Sequence, residues 1–338
     1  MMTIYGSRSM RGLMVGDFRA DSAPPSRINE RYRLVTTINS YNGRVRCPLK
    51  RTAIALVFLM GAFARVGYTQ GCPVSTTVRV LDKQGVASVN LTADQMRAEI
   101  DGTPAKVSSI SRENNQRIIL LLDISSNMKS VWNPAMAAAR QLIEASGENF
   151  DIVLFRDRIR GYARGRSKSE QLLEQLSPDL LKPGGTALYD SLIGIADSLK
   201  GSKAAIVVIS DGGENSSVHS SDVTVPLLIR ASSPSVFALI LDYNEHEPSR
   251  RYFKKISTDT GGLIEYPPSS SKVPEAMATL IAAVQNPLVV TLQPSRMVIS
   301  MARLKLEAIS PNGEPQRDVR LLHVVEVASC DAPSADLR

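Results

Sequence analysis

The chain has 338 residues, of which 43% are hydrophobic, enough to build a real core in one large domain or two ordinary ones. Its formal net charge of +7 would ordinarily favour nucleic acid or an anionic membrane as a partner. However, residues 1–51 carry ten Lys or Arg and three Asp or Glu, so the remaining chain holds 30 basic and 30 acidic residues. The excess charge is confined to this basic tail, and we therefore expect no nucleic-acid partner.

An apolar segment follows the basic tail. Residues 52–64 are almost wholly apolar, close with Ala-Phe-Ala and are preceded by Lys50 and Arg51. A charged region, an apolar region of this length and a small-x-small site are typical of a signal peptide, and the segment is too short to span a bilayer as a helix. The long tail suggests a true start at Val45. We expect a secreted, periplasmic or cell-envelope protein, with an uncleaved signal anchor or a buried helix as the alternative.

The cysteines allow two arrangements. Cleavage after Ala64 would remove Cys47 and leave Cys72 and Cys330, an even pair compatible with a disulfide in an oxidising compartment. A single pair without a spacing signature instead favours two unpaired thiols. Cys72 also suggests a lipid anchor, although the Leu usual three residues before such a Cys is missing. Membrane association is therefore expected only through an uncleaved signal or a lipid anchor.

Two small β units are predicted, one at 72–112 and one at 288–330, the second followed by a polar tail at 331–338. Short alternating runs typical of strands occur in the first unit at 77–81, 96–100 and 107–110, with turns at 82–85 and 101–102. In the second unit, strand signals occur at 288–292, 304–308 and 319–327, with a turn at 311–313.

Residues 113–287 follow a different pattern, in which short apolar strands alternate with amphipathic helices. This alternation indicates a mostly parallel sheet covered on both faces. The predicted strands are 118–122, 150–155, 204–209, 235–241 and 263–266. The predicted helices are 134–145, 169–176, 186–200, one around Phe253 and Ile256, and one carrying Met277, Leu280 and Val284. The fold class is therefore α/β, a doubly wound, mostly parallel central sheet flanked by helices, with small β units before and after.

Oxygen-bearing side chains follow two of these strands. Asp123 ends the first strand, with Ser125 and Asn127 at alternate positions behind it, and Asp211 follows the third. If the two strands are neighbours at a topological switch point, their loops meet at the carboxyl edge, where open α/β folds place their ligands. Thr186, at the predicted N-cap of a helix, would arrive from the side. Such a set would suit a hard cation such as Mg²⁺ and would leave room for a partner's oxygen.

In these motifs the chain resembles the von Willebrand factor type A domain. The metal-ion-dependent adhesion site of that family has the pattern Asp-x-Ser-x-Ser with a distant Thr and a distant Asp, which fall on Asp123, Ser125, Asn127, Thr186 and Asp211. The flanking runs Ile-Leu-Leu-Leu-Asp, Gly-Gly-Thr-Ala-Leu-Tyr-Asp-Ser-Leu and Val-Val-Ile-Ser-Asp-Gly occur in the family's order. Residues 80–110 further resemble bacterial secreted VWFA-related domain proteins.

The resemblance implies a six-stranded central sheet and a site for Mg²⁺, or for Mn²⁺ or Ca²⁺. Asp123, Ser125 and Thr186 would hold the cation, Asp211 would help directly or through water, and Asn127 would be a fifth contributor. An Asp or Glu of a partner protein would complete the coordination. The expected function is therefore a protein-binding module, not an enzyme, and without a small-molecule cofactor.

Asn127, which stands where the family has Ser, keeps two alternatives open. Its amide oxygen can bind a hard cation, but the side chain is longer by one heavy atom. The first alternative is a metal-free structural or scaffolding domain, in which Asp123, Ser125 and Thr186 only bond their loops. The second is a metal-dependent hydrolase, which would need a His or Glu base that no motif supplies. The basic run from Arg156 to Arg166 is interpreted as a solvated edge.

Overall fold

The computed structural model describes residues 72–85, 91–113, 115–199, 203–231, 234–243 and 247–328. The basic tail, the apolar segment at 52–64, Cys47, Cys330 and the polar tail lie outside these residues, so the expected signal peptide stays a prediction. Cys72 is disulfide-bonded, which corrects the interpretation of two unpaired thiols. Pairing depends on proximity in the fold, which cysteine spacing alone does not reveal. None of the helices in the described ranges is long and apolar enough to cross a membrane.

The described residues form two β-sheets and a set of α-helices. The strands are β1 (Val74–Leu81), β2 (Met96–Ile100), β3 (Thr103–Arg112), β4 (Arg117–Asp123), β5 (Phe150–Phe155), β6 (Ile159–Arg164), β7 (Ala204–Ser210), β8 (Ser235–Ile240), β9 (Ile264–Glu265), β10 (Leu288–Pro294), β11 (Ala302–Ala308), β12 (Arg320–His323) and β13 (Glu326–Val327). The helices are α1 (Trp132–Ala145), α2 (Arg166–Gln175), α3 (Leu188–Leu199), α4 (Ser221–Ala231), α5 (Glu247–Asp259) and α6 (Val273–Gln285).

The six-stranded sheet has the order β6-β5-β4-β7-β8-β9, and only β6 runs antiparallel to its neighbour. The chain passes from β4 to β5 on one side and later returns to β7 on the other side of β4. The strand order therefore reverses at β4, which creates a topological switch point beside its carboxyl end. The expectation that the strands preceding Asp123 and Asp211 are neighbours is confirmed, because β4 pairs with β7 in parallel.

Alternation along the buried strands explains why helices cover both faces of this sheet. On β4, Leu120 and Leu122 join the core that α1 and α6 complete, whereas Ile119 and Leu121 face the core completed by α3, α4 and α5. Successive side chains of a strand point to opposite faces, so a strand that is apolar throughout needs cover on both sides. The mixed α/β class with a mostly parallel sheet is thus confirmed.

Two elements, β6 and α4, are not predicted by the sequence pattern. Most side chains of β6 are exposed or half-buried, and the strand contains Gly161, so it lacks the apolar run that marks the inner strands. The strand lies at the edge of its sheet, where a charged sequence is tolerated. In α4, Pro226 stands inside the helix, where proline removes a backbone hydrogen bond and obscures the helical pattern.

The two β segments expected before and after the α/β region form one seven-stranded antiparallel sheet, in the order β12-β1-β10-β3-β2-β11-β13. Local alternation predicts that strands exist but not which distant strand they pair with. The hairpin between β2 and β3 turns at Asp101 and Gly102, whose positive φ values of 49° and 69° suit a two-residue turn.

A buried arginine joins the two sheets. Arg79 of β1 is 0% exposed, and its Nη1 donates a hydrogen bond of 2.6 Å to the hydroxyl of Ser235, the first residue of β8. The guanidinium carbon also lies 4.8 Å from the ring centroid of Phe237. This joint is therefore at the amino end of β8, on the edge of the parallel sheet opposite to Asp123.

Candidate metal centre

Asp123 is the last residue of β4, and its carboxylate is completely buried, with an exposure of 0%. The backbone N–H of Ser125 donates to its Oδ1 over 2.8 Å, and the hydroxyl of Ser210 donates to its Oδ2, also over 2.8 Å. Ser210 ends the neighbouring strand β7, so the pairing of the two strands brings this hydroxyl to the carboxylate. Ser210 stands in the Val-Val-Ile-Ser-Asp-Gly run, which does not by itself predict this contact.

Both aspartates of the site have a raised pKa, chiefly because they are buried. Burial raises the pKa of Asp123 to about 7, and the negative charge of Asp211 adds to that rise, whereas the bonds from Ser125 and Ser210 oppose it. The pKa of Asp211 is also raised by burial, and the negative charge of Asp242 contributes. A cation placed between such carboxylates would favour their ionised forms.

Ser125 holds a buried hydroxyl without a clear partner. The residue is 1% exposed, and its Oγ makes no hydrogen bond of ordinary geometry within the described part of the chain, although its polar interaction with the Asp123 carboxylate lowers the pKa of that group. Leaving a buried hydroxyl unsatisfied costs about 1–3 kcal/mol, so such a group usually serves a ligand or a water molecule. This oxygen is therefore available to a ligand beside the Asp123 carboxylate.

Thr186 and Asp211 approach each other over Gly213. The Oγ1 of Thr186 and the Oδ1 of Asp211 both lie 3.5 Å from the position that a β-carbon on Gly213 would take. Thr186 is 2% exposed, and Asp211 is half-buried and accepts a hydrogen bond of 3.3 Å from the backbone N–H of Gly213. The loop after β7 thus brings a hydroxyl and a second carboxylate to the same edge as Asp123.

Asn215 attaches the Thr186 loop to the loop that follows β7. Its Oδ1 accepts from the backbone N–H of Thr186 over 2.8 Å, and its own N–H donates to the Thr186 carbonyl over 3.0 Å. A β-carbon on Gly185 would lie 1.5 Å from the hydroxyl of Ser216 and 2.6 Å from Oδ1 of Asn215, so a larger residue there would displace both side chains. The position of Thr186 is consequently set by backbone and side-chain bonds from this one loop.

Glu214 caps the helix behind Thr186. Its Oε2 accepts from the backbone N–H groups of Leu188 and Tyr189 over 2.7 and 3.2 Å, and its Oε1 accepts from Ser216 and Ser217. The prediction that Thr186 is the N-cap is wrong, because α3 begins at Leu188 and its free N–H groups bind this carboxylate instead. A carboxylate at a helix N-terminus also interacts favourably with the helix dipole.

A second acid extends this contact on the outer side. Asp190 in the first turn of α3 accepts from the backbone N–H groups of Val218 and His219, over 2.9 and 3.2 Å, and from the His219 ring. Ser217 meanwhile accepts from the N–H of Tyr189 over 3.0 Å. We call residues 214–219 together with the start of α3 the clasp. A polar Glu-Asn-Ser-Ser run behind a strand was the only sequence signal for it.

Asn127 differs from the other four predicted residues. It lies in the 3-10 helix Ser126–Val131, and it is exposed. Its backbone carbonyl accepts a weak bond of 3.4 Å from the hydroxyl of Ser130. The structure therefore brings Asp123, Ser125, Thr186 and Asp211 to one edge of the sheet, with Asn127 on the surface beside them.

The family model described as a VWA domain containing CoxE-like protein matches residues 91–245. Residues 91–245 therefore match a von Willebrand factor type A domain by sequence. Within it, the five residues that fit the adhesion-site pattern all fall inside the matched range. No curated protein matches the chain by sequence.

Solved structures resemble the type A domain only distantly. The mussel byssus proximal thread matrix protein 1 with a zinc-occupied MIDAS motif is 13% identical, with a TM-score of 0.38, 51% of this chain covered and 48% of that chain. Human COPII-coat protein Sec24c is 9% identical, with a TM-score of 0.39 and coverages of 65% and 44%. A mutant PilB minor pilin from Streptococcus sanguinis is 11% identical, with a TM-score of 0.37 and coverages of 51% and 62%. The chain thus spans less than two thirds of each.

The donors in this type A domain fit a hard cation better than a soft one. They are carboxylate and hydroxyl oxygens, which suit Mg²⁺, Mn²⁺ or Ca²⁺. Across the described ranges, no group of three or more His, Cys, Asp or Glu is arranged to hold a metal ion. A metal at this edge would therefore depend on the hydroxyls of Ser125 and Thr186 as well as on the aspartates.

Proposed function

We propose that this chain is a secreted or cell-envelope protein-binding module that engages an acidic residue of a partner through a divalent cation. Type A domains generally mediate protein–protein interactions. The observation that carries the proposal is the buried Oγ of Ser125, which makes no hydrogen bond of ordinary geometry within the described residues, beside the fully buried carboxylate of Asp123. A buried carboxylate and an unsatisfied hydroxyl at an open sheet edge are costly unless a ligand uses them.

The residues of this chain have distinct roles in the proposed binding. Asp123, Ser125 and Thr186 supply oxygens, and Asp211 contributes directly or through water. The bound cation supplies a positive charge that attracts the partner's Asp or Glu. Ser210 orients Asp123 through its 2.8 Å bond, and the clasp holds Thr186 in place.

We further propose that the chain is not an enzyme. A metal-dependent hydrolase would need a base that can reach a water molecule at the site. Both oxygens of Glu214 already accept bonds from backbone N–H groups, and the ring of His219 is bonded to Asp190. These two groups are therefore committed to the clasp.

Calorimetric titration of the full chain with Mg²⁺ and with Mn²⁺ tests the proposal. We expect saturable binding of one ion that disappears in Asp123→Ala, and partner binding that disappears with a chelator. Asp318→Ala is the matched control, since this exposed acid lies outside the type A domain and pairs with Lys83. Export is tested separately by mapping the N-terminal peptide of the mature protein, expected to begin after Ala64.

The alternative is a metal-free structural domain, which the exposed position of Asn127 favours. In that case Asp123, Ser125 and Thr186 would only bond their loops. Absence of heat with millimolar Mg²⁺ and Mn²⁺, together with chelator-insensitive partner binding, would establish this alternative and reject the metal-dependent module.

A further inference from the structure

Charge is distributed unevenly around the candidate metal centre. Three loops on the side of β5 and β6 carry basic residues. Lys129 lies in the 3-10 helix directly behind Ser125, and Lys182 lies in the loop before Thr186, where its backbone bridges to Ser125. Arg158 lies in the turn between β5 and β6, which leaves the same carboxyl edge.

The turn between β5 and β6 contacts the loop of the site directly. The carbonyl of Arg156 accepts from the backbone N–H of Ala187 over 2.6 Å, and the Arg156 side chain lies against Gly184, 3.0 Å from the place of a β-carbon. This contact places the turn, and with it Arg158, next to the loop that carries Thr186. The basic residues are therefore neighbours of the site.

One acid within this turn neutralises two of its cations. Asp157 pairs with Arg156 over 3.1 Å and with Arg160 over 2.5 Å, and these two partners lower the pKa of Asp157 to about 2. Arg158 is exposed and forms no ion pair with a described residue, and the same holds for Lys129 and Lys182. We call these three residues the basic rim.

Acidic residues dominate the opposite side, near the ends of β7 and β8. Asp211, Glu214 and Asp242 lie behind these strands, and Asp190 lies at the start of α3. A negatively charged segment that crosses the site would be repelled on this side and attracted on the other. This distribution of charge therefore favours one orientation of a negatively charged segment bound across the site.

We propose that the basic rim binds a run of acidic residues next to the carboxylate that a partner protein presents to the metal centre. This inference rests on the proposed function, since the rim lies beside that site. The occupant is an acidic peptide segment, because the cations belong to separate loops around a carboxylate-binding position. Exposed ion pairs contribute weakly each, so the rim selects among acidic partners and sets their direction.

Binding of labelled peptides to the full chain tests this inference. The probes are fluorescein-labelled Gly-Asp-Gly-Glu-Glu-Glu-Glu and its counterpart with Gln in place of every Glu, measured by anisotropy in 5 mM Mg²⁺ and again in chelator. We expect the Glu peptide to bind about three- to tenfold more tightly than the Gln peptide. The double variant Arg158→Glu with Lys182→Glu should remove that advantage and leave the calorimetric Mg²⁺ affinity within about threefold.

The matched control is Lys106→Glu with Lys168→Glu, which changes the total charge equally. Lys106 lies on β3 in the other sheet and Lys168 on α2, and both are exposed. If this control still binds the Glu peptide more tightly than the Gln peptide, the inference is supported. If both double variants lose this difference in affinity equally, the inference is overturned. Equal binding of the two peptides by the wild type, or displacement of the Glu peptide by a single-stranded oligonucleotide at the same charge concentration, also overturns it.

The metal site and the basic rim can be rejected independently of each other. If Mg²⁺ does not bind, the proposed metal site is rejected. The basic rim would still be supported if, in chelator, the Glu peptide binds more tightly than the Gln peptide and this difference disappears in the Arg158→Glu, Lys182→Glu double variant. If Mg²⁺ binds and the Glu advantage is absent, the rim is rejected and the metal site stands. Raising NaCl from 50 to 300 mM should reduce the advantage, because exposed charges are screened.

Discussion

Two charged side chains are completely buried at opposite edges of the parallel sheet, and their surroundings differ. Asp123, at the carboxyl edge, accepts hydrogen bonds on both oxygens and has the unsatisfied hydroxyl of Ser125 beside it. Arg79, near the amino edge, uses one of its nitrogens, while Nε and Nη2 have no partner among the described residues. One charge lies where loops open to solvent, and the other lies inside a joint between two sheets.

The difference shows how burial alone can mislead about function. Burial raises the pKa of Asp123 and lowers the pKa of Arg79 to about 9, so both groups are destabilised in their charged forms. At Asp123 a ligand approaching the open edge could relieve that cost. At Arg79 the hydroxyl of Ser235 accepts one hydrogen bond and the Phe237 ring lies against the guanidinium, inside the packed strands. We therefore assign ligand binding to the first edge and a structural role to the second.

Substitution of Arg79 should give the largest effect on stability. Its folded pKa lies below the unfolded value, so the charge lowers stability at neutral pH, and this cost diminishes as pH rises above about 9. Arg79→Met removes the charge and keeps much of the volume, whereas Arg79→Ala also leaves a cavity. We expect Arg79→Met to exceed Arg79→Ala by about 2–4 kcal/mol in free energy of unfolding, measured with urea at pH 7.

The control for this comparison is Arg303→Met on the exposed side of β11, which should change stability by less than about 0.5 kcal/mol. Arg79→Met should be at least as stable as the wild type. A loss of more than about 2 kcal/mol in that variant would mean that the guanidinium stabilises the joint, and the structural contrast between the two edges would then be wrong.

Asp123→Asn should remove metal binding with little cost in stability. The amide keeps the shape of the side chain and one acceptor, but it brings no negative charge to a cation. We expect the calorimetric Mg²⁺ affinity to fall at least about a hundredfold, while the free energy of unfolding changes by less than about 1 kcal/mol, because the lost hydrogen bond is offset by the removal of a buried charge.

The reciprocal control is Asp151→Asn at the opposite end of the sheet. Asp151 is buried and accepts from Nε of Arg117 over 2.6 Å and from the N–H of Gly165 over 2.8 Å. Breaking this pair should lower stability and leave the Mg²⁺ affinity unchanged. An equal fall of the metal affinity in both variants would indicate that Asp123 acts through the fold and not as a ligand.

The sequence predicted the inner strands of the parallel sheet well, because their signal is local. Residues 118–122 and 204–209 are apolar without interruption, and such runs between helices rarely have another structure. The same motifs correctly placed Asp123 and Asp211 at neighbouring strand ends. The pairing of β1 with β10 was not predictable, since it joins residues more than 200 positions apart and no local pattern specifies the partner.

The support behind the site was also hidden from sequence reasoning. Thr186 looked like a helix cap because a hydroxyl before an amphipathic helix is the usual signal. The actual cap, Glu214, comes from the loop that follows β7 and reaches the start of α3, 26 residues earlier in the chain. A capping group supplied by another loop leaves no trace in the sequence around the helix.

Glu214→Ala tests whether the clasp positions Thr186. Removal of the carboxylate takes the acceptor from the N–H of Leu188, leaves the N–H of Tyr189 bonded to Ser217, and loosens the loop that carries Thr186. We expect the Mg²⁺ affinity to fall about tenfold and stability to fall by about 1–2 kcal/mol. Glu214→Gln, which keeps one acceptor, should recover part of both losses.

Glu174→Ala is the control, since this exposed acid lies on α2, away from the clasp. A stability loss in Glu214→Ala with an unchanged metal affinity would show that the clasp is structural only. Thr186 would then be held by Asn215, which bonds its backbone N–H and its carbonyl, and by the backbone N–H of Ser216.

Asn127→Ser should give the smallest effect, although this residue is the departure from the family pattern. The Asn127 side chain is exposed, whereas Asp123, Ser125 and Thr186 are buried at the strand ends, so those three oxygens supply most of the proposed coordination. We expect Asn127→Ser and Asn127→Ala each to change the calorimetric Mg²⁺ affinity by no more than about threefold. A tenfold gain in Mg²⁺ affinity in Asn127→Ser alone would contradict this expectation. It would mean that the 3-10 helix moves to bring a fifth ligand into the site and that asparagine at this position weakens the binding of the cation.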